Sequence, residues 1–174
     1  MQLVGVCVTA FWCAMLNAYC TVWHIFTNRS LVYFQQIVAL GGVLSFHRTI
    51  LQTLDITGNL LGGKGLESLS GGLKLNKSLE TILLADNNIS SSDANEEGLQ
   101  AFMLAIKKHP ALTCVDFRYN PIGDNAKLLV EALEKNTQIS TFKVDASVPD
   151  NLFGLLHRNS APKKKAGKSK KKKK

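Results

Sequence analysis

The run Gly58-Asn59-Leu60-Leu61-Gly62-Gly63-Lys64-Gly65 has the spacing G-x-x-x-x-G-K of a phosphate-binding loop. In such a loop glycine amides cradle the phosphates, the lysine reaches their charge, and a Ser or Thr directly after it holds magnesium. Gly65 stands where that hydroxyl is needed, so the motif is one residue short. A strand-like run precedes it and a helix-like run follows. The question is whether these residues have another reason to be there.

Other reactive side chains form no constellation. His24, His47, His109 and His157 are scattered, with no nucleophile motif beside any of them, and His109 next to Pro110 reads as a helix-end residue. Cys7, Cys13, Cys20 and Cys114 make no C-x-x-C pair and have no histidine at ligand spacing. Neither a zinc site nor a disulfide scaffold is indicated, and a reduced compartment is the default. No catalytic residue, cofactor or metal is expected.

The elements that must position any site emerge when the chain is stacked at Leu51, Leu79, Leu112 and Ile139. The units read L-Q-T-L-D-I-T-G-N-L-L, L-E-T-I-L-L-A-D-N-N-I, L-T-C-V-D-F-R-Y-N-P-I and I-S-T-F-K-V-D-A-S-V-P. All share apolar first, fourth and sixth places. Asn59, Asn87 and Asn120 hold the ninth, where Ser147 stands in the last unit, and Leu61, Ile89 and Ile122 hold the eleventh. The pattern predicts a short strand whose apolar places face a shared core, then a turn in which the asparagines bond neighbouring backbone.

A helical stripe follows each strand: Leu66, Leu69 and Leu73; Leu99, Phe102, Met103 and Ile106; Leu128, Leu129 and Leu133. Asn76, His109-Pro110 and Asn136 close these helices. The polar stretch 90–97 reads as an inserted loop. Asn59 and Leu61 are thereby explained as repeat positions, and Gly62 and Gly63 as a tight loop into the helix. The phosphate-loop match reduces to a repeat turn.

With strand, asparagine turn and full helix in each unit, residues 51–159 resemble the leucine-rich repeats of the ribonuclease-inhibitor type. The resemblance implies an α/β fold, a short solenoid with a parallel sheet on its concave side. Members of that class serve as inhibitors, GTPase activators, immune sensors and cytoskeletal or axonemal assembly factors. In a solenoid the residues between the core positions face solvent along the strands. They are Thr53, Thr81, Cys114 and Thr141 at the third place, and Asp55, Leu83, Asp116 and Lys143 at the fifth. Thr57, Ala85, Arg118 and Asp145 take the seventh, with Tyr119 beside Arg118. Asp116, Arg118, Tyr119 and Lys143 make the richest patch, mixing charge with an aromatic anchor of the kind interfaces favour. The expected function is a non-enzymatic adaptor that binds a protein partner there. A small-GTPase regulator using Arg118 is a further reading.

The formal net charge of +8 belongs to the end of the chain. Residues 163–174 hold nine of the 21 basic residues, namely Lys163, Lys164, Lys165, Lys168, Lys170, Lys171, Lys172, Lys173 and Lys174, and no acid. The remaining 12 basic and 13 acidic residues nearly balance. Such a tail cannot fold alone and offers electrostatic tethering to acidic protein tails, nucleic acid or anionic lipid.

At the other end, residues 1–28 carry no formal charge. Leu3–Phe26 is long enough to cross a bilayer, yet Thr9, Asn17, Thr21 and His24 dilute it. Alternatively Cys20, Trp23, Ile25 and Asn28 fall at the first, fourth, sixth and ninth places of a degraded repeat that covers the solenoid's open edge, with Ile37, Leu40, Val43 and Leu44 as its helix. The expected organisation is a hydrophobic segment over 1–27 (cap or membrane anchor), a degenerate repeat or capping helix over 28–50, repeats over 51–160 and a disordered polylysine tail over 161–174. The adaptor reading places the chain in the cytoplasm, cytoskeleton or nucleus, and the alternative makes it membrane-anchored.

Overall fold

One short strand per repeat sets the architecture, because each unit has only one apolar stripe on its strand and one on its helix and must bury both against its neighbours. The computed structural model describes residues 22–24, 34–45 and 50–159. Strands β1 (Val22–His24), β2 (Thr53–Asp55), β3 (Thr81–Leu83), β4 (Cys114–Asp116), β5 (Thr141–Lys143) and β6 (Arg158–Asn159) form one sheet in chain order. Helices α1 (Phe34–Ser45), α2 (Gly62–Leu75), α3 (Asp93–Ile106), α4 (Ala126–Lys135) and α5 (Asp150–Leu156) fall between them, with a 3-10 turn (Gly123–Asn125) leading into α4.

The first five strands pair in parallel, and β6 turns back antiparallel on β5. Register follows the repeat places. Leu54, Ile82, Val115 and Phe142 stand opposite one another in sequence, as do Thr53, Thr81, Cys114 and Thr141. Trp23 stands opposite Leu54, the fourth place of the degraded unit. Thus part of Leu3–Phe26 is a strand; its other residues lie outside the described set. No helix among the described residues is long and apolar enough to cross a membrane.

The core is one continuous cluster between sheet and helices. Leu51, Leu54, Ile56, Leu79, Ile82, Leu84, Leu112, Val115 and Phe117 supply the strand side, and Leu66, Leu69, Leu73, Leu99, Phe102, Ile106, Leu129 and Leu133 the helix side. Phe102, Phe117 and Phe142 run through adjacent repeats, with ring centroids 5.6 Å and then 6.3 Å apart. Burying each contributes roughly 2–3 kcal/mol.

The turns are held by buried asparagines. Nδ2 of Asn87 donates to the carbonyls of Leu84 and Ala85 in its own unit and of Ile56 in the one before. Asn120 repeats this on Phe117, Arg118 and Leu84, while its Oδ1 accepts from the amides of Asn87 and Ile89. Asn59 donates to Ile56 and Thr57.

A second set sits at the helix ends. Oδ1 of Asn76 accepts from the amides of Ser78 and Leu79, and its Nδ2 donates to Leu44 O. Asn136 accepts from Gln138 and donates to Ile106 O and His109 O. His109 takes the same place between them: Nδ1 accepts from Ala111 and Leu112, but its buried Nε2 has no partner.

The helices approach at glycine. A Cβ on Gly72 of α2 would lie 2.1 Å from Gly41 O, and one on Gly98 of α3 would lie 2.2 Å from Gly63 O. Gly63 is therefore not a loop residue, as its sequence context suggests, but a contact point inside α2. At the far end Arg158 donates to Ile139 O and Leu133 O, fixing β6 across the edge of β5.

Candidate functional site

Gly58–Gly65 has no free phosphate cradle. The amide of Gly58 donates to Ala85 O and that of Gly62 to Asn87 O, both in the next repeat, and the Gly65 amide donates to Leu61 O. Lys64 lies on α2, bonded to Glu97 at 2.8 Å and Glu67 at 3.3 Å. These two carboxylates raise its pKa, and Lys64 in return lowers that of Glu97. The residues a nucleotide would need are committed to joining two repeats. No group of His, Cys, Asp and Glu suited to a metal ion occurs among the described residues.

The outward face of the sheet is where the strand residues collect. Thr53, Asp55, Thr81, Leu83, Cys114, Thr141 and Lys143 are all partly exposed on it. Burial pushes the Cys114 thiol up, with nearby Lys143 opposing and Asp116 adding to the shift. It is a packed thiol and not a thiolate nucleophile.

Asp116 departs from expectation. Its position places it on the outward face, yet its side chain is only 7% exposed. The reason lies two residues along the same face, where Arg118 folds back over it. Nε of Arg118 bonds Oδ1 at 2.9 Å and Nη2 bonds Oδ2 at 2.7 Å, a bidentate pair, while Lys143 Nζ stands 3.8 Å from Oδ2. Asp116 also accepts the Arg118 amide. It therefore positions Arg118 and Lys143 and presents little surface itself. The same bonds occupy the guanidinium that the GTPase-regulator reading requires.

Tyr119 is the most exposed member, at 63%, and has a positive φ of 59°. The equivalent eighth places are Gly58 at φ 74° and Asp86 at φ 55°, residue types that tolerate the left-handed region. A bulky aromatic there is strained by about 1 kcal/mol or more. The conformation is held from the next repeat, because the Tyr119 amide donates to the Asp145 carboxylate. Asp145 also accepts the Ser147 amide, at 2.9 Å. Burial works to raise the Asp145 pKa, but these bonds outweigh it, so the carboxyl stays below its ordinary value. The Arg118 guanidinium carbon lies 5.8 Å from the centre of the Tyr119 ring, within cation–π range.

Comparison with known proteins bears on this geometry. A leucine-rich repeat family profile matches residues 47–70, which take in β2 and the first two turns of α2. No curated protein sequence matches the chain. Among solved structures, leiomodin-1 actin-binding site 2 aligns with a TM-score of 0.66, covering 84% of this chain and 81% of that one at 16% identity. The fold is a leucine-rich repeat solenoid. At that identity the likeness to leiomodin-1 is one of fold. In leucine-rich repeat terms, Asp116, Arg118, Tyr119, Lys143 and Asp145 occupy the strand and turn of the last two parallel units, while Thr53, Asp55, Thr81 and Leu83 line the two units just before them. The alignment of Tyr119 with Gly58 and Asp86 was available in the sequence and is the signal that marks its backbone as unusual.

Proposed function

We propose that this chain is a non-enzymatic interaction module, a leucine-rich repeat adaptor of the ribonuclease-inhibitor type that binds a protein on its sheet face around Tyr119. The full helices of α2 and α3, each 14 residues long, support that repeat type. One observation carries the binding site. A large aromatic is held exposed, in a backbone conformation that disfavours it, at a place the two preceding repeats fill with Gly58 and Asp86. Strain kept at an exposed position points to use and not to stability. Aromatic and arginine side chains are also the ones that dominate interface energetics. Thr53, Asp55, Thr81, Leu83, Thr141 and Asp145 supply the surrounding contact face, and the lysine tail adds tethering.

The leiomodin-1 region that this fold resembles is an actin-binding site, so actin is the first defined partner to test and a cytoskeletal location fits this reading. The experiment uses the full chain as bait in extract of the source cells. Recovered proteins are identified by mass spectrometry and purified, then rebound to wild type, Tyr119→Asn and Glu134→Ala. Tyr119→Asn is expected to weaken binding at least tenfold, with Glu134→Ala unchanged. Equal binding by all three proteins would overturn the proposal.

A further inference from the structure

The turn that carries Tyr119 is joined to the next repeat differently from the turns before it. In the units starting at Leu51 and Leu79, the eighth-place amide donates to the seventh-place carbonyl of the following unit, Gly58 to Ala85 O at 2.9 Å and Asp86 to Arg118 O at 3.0 Å. By that rule the Tyr119 amide belongs to Asp145 O. It goes instead to the Asp145 carboxylate. A side chain here replaces one rung of the main-chain ladder.

The replacement starts in the turn of the fourth unit. Asn87 and Asn120, at the ninth place, each donate to the seventh-place carbonyl of their own unit, Ala85 O and Arg118 O, whose second lone pair serves the amide of the preceding repeat. Ser147 stands at that place in the fourth unit and lacks the side-chain amide. Its turn closes through the main chain, with the Val148 amide donating to Asp145 O at 3.2 Å. That bond directs the carbonyl into its own loop, and the carboxylate makes the connection between repeats. Its Oδ2 accepts from the Tyr119 amide and its Oδ1 from the Ser147 amide. Ser147 Oγ adds a bond to Asn120 O at 3.1 Å. An ionised carboxylate accepts amides more strongly than a carbonyl does, which suits a residue whose left-handed φ must be imposed.

We infer that Asp145 is the positioning residue of the binding face: it sets the exposed pose of Tyr119, and most of its contribution to partner affinity passes through that tyrosine's backbone. The inference rests on the sheet-face reading above and adds what holds the anchor. Ala85 and Arg118, at the same place in the second and third units, carry no side-chain acceptor with which to do this. The device therefore belongs to the one turn that presents an exposed aromatic. An anchor ordered before the encounter binds at a smaller entropic cost than one ordered during it.

The test measures backbone amide exchange and binding on the full chain for wild type, Asp145→Ala, Asp145→Asn, Tyr119→Asn and the Asp145→Ala, Tyr119→Asn double variant. The binding probe is the partner protein purified in the capture experiment, titrated by calorimetry. Asp145→Ala is expected to quicken exchange at the Tyr119 and Ser147 amides, to leave the buried strand residues Ile82 and Val115 unchanged, and to weaken binding about fivefold or more. Asp145→Asn keeps one oxygen acceptor and is expected to fall between wild type and Asp145→Ala. In the Tyr119→Asn background, Asp145→Ala is expected to cost less than about twofold more, since the group it positions is gone. A second cycle with Asp145→Asn makes the same comparison in a variant that keeps part of the turn bonded. Losses that multiply in the double variants overturn the inference, because Asp145 would then act on the partner independently. Unchanged exchange at Tyr119 in Asp145→Ala overturns it as well. If Tyr119→Asn weakens binding and Asp145→Ala does not, the positioning role alone is lost and the sheet-face reading stands. If Tyr119→Asn binds as tightly as wild type, that reading falls and the inference falls with it.

Discussion

The Tyr119 amide donates to the carboxylate of Asp145, one repeat further on, and this bond holds a tyrosine where the preceding repeats place Gly58 and Asp86. A residue at φ 59° with a large side chain is disfavoured by the same sterics that favour right-handed helices. Tyr119→Asn keeps the amide and its bond but tolerates the left-handed region. Against that relief, the exposed contact with Arg118 is worth about 0.5–1 kcal/mol. Tyr119→Asn is expected to melt at or up to a few degrees above wild type. A fall of more than about 3 °C would show that the ring stabilises the fold.

His109 makes stability pH-dependent. Burial pushes its pKa down from 6.5 to about 4. Below about pH 6.5 the unfolded chain gains a proton here that the folded chain refuses, so the stability present above that pH is lost as pH falls toward 4. The loss amounts to at most ~3 kcal/mol for this group. Asn76 and Asn136 do the same work at their helix ends with no titrating group and with a donor that reaches the preceding repeat. Urea unfolding of wild type and His109→Asn at pH 7 and pH 4.5 checks this: the variant is expected to lose less stability on acidification. Parallel losses would contradict it.

Two glycines of α2 and α3 separate close packing from helix propensity. Gly98→Ala sets a methyl against Gly63 O, where an ideal Cβ would be 2.2 Å away, and parting the helices costs roughly 2–4 kcal/mol. Gly71 has nothing within 4 Å of its Cβ position and is exposed. Gly71→Ala is therefore expected to stabilise by about 0.5–1 kcal/mol. Chemical denaturation of both measures the contrast, and equal effects would mean that α2 and α3 are not in backbone contact.

Asn120 joins three stretches of backbone, so Asn120→Ala takes a partner from Phe117 O and from the amides of Asn87 and Ile89, while Leu84 O keeps Asn87 Nδ2 and Arg118 O keeps the Asp86 amide. The expected cost is about 2–4 kcal/mol. Hydrogen exchange should quicken at Asn87 and Ile89 first. Unchanged exchange at those amides would show that other groups satisfy them.

The core was legible in the sequence because the apolar places recur with one register, and the strands stack at those same residues: Leu54, Ile82, Val115 and Phe142 are all buried. The phosphate-loop match dissolved for the same reason, since a residue with a repeat role needs no second one. Less legible was whatever depends on side chains folding across the surface. Alternation puts Asp116 outward, and nothing in the spacing says that Arg118 will cover it. The glycine contacts between α1, α2 and α3 were hidden too, because Gly63 reads as a turn residue until Gly98 is seen opposite. β6 is a two-residue strand with no periodicity to detect, and only the bonds of Arg158 explain its place.

The most direct measurement places a photoreactive benzophenone side chain at Tyr119 of the full chain and, separately, at Glu134, which is exposed on α4. Both proteins are irradiated with the purified partner from the capture experiment, and adducts are mapped by mass spectrometry. The expected result is an adduct from position 119 only, competed away by unlabelled wild type and mapping to one stretch of the partner. Adducts from position 134 alone, or equally from both, would contradict a sheet-face interface.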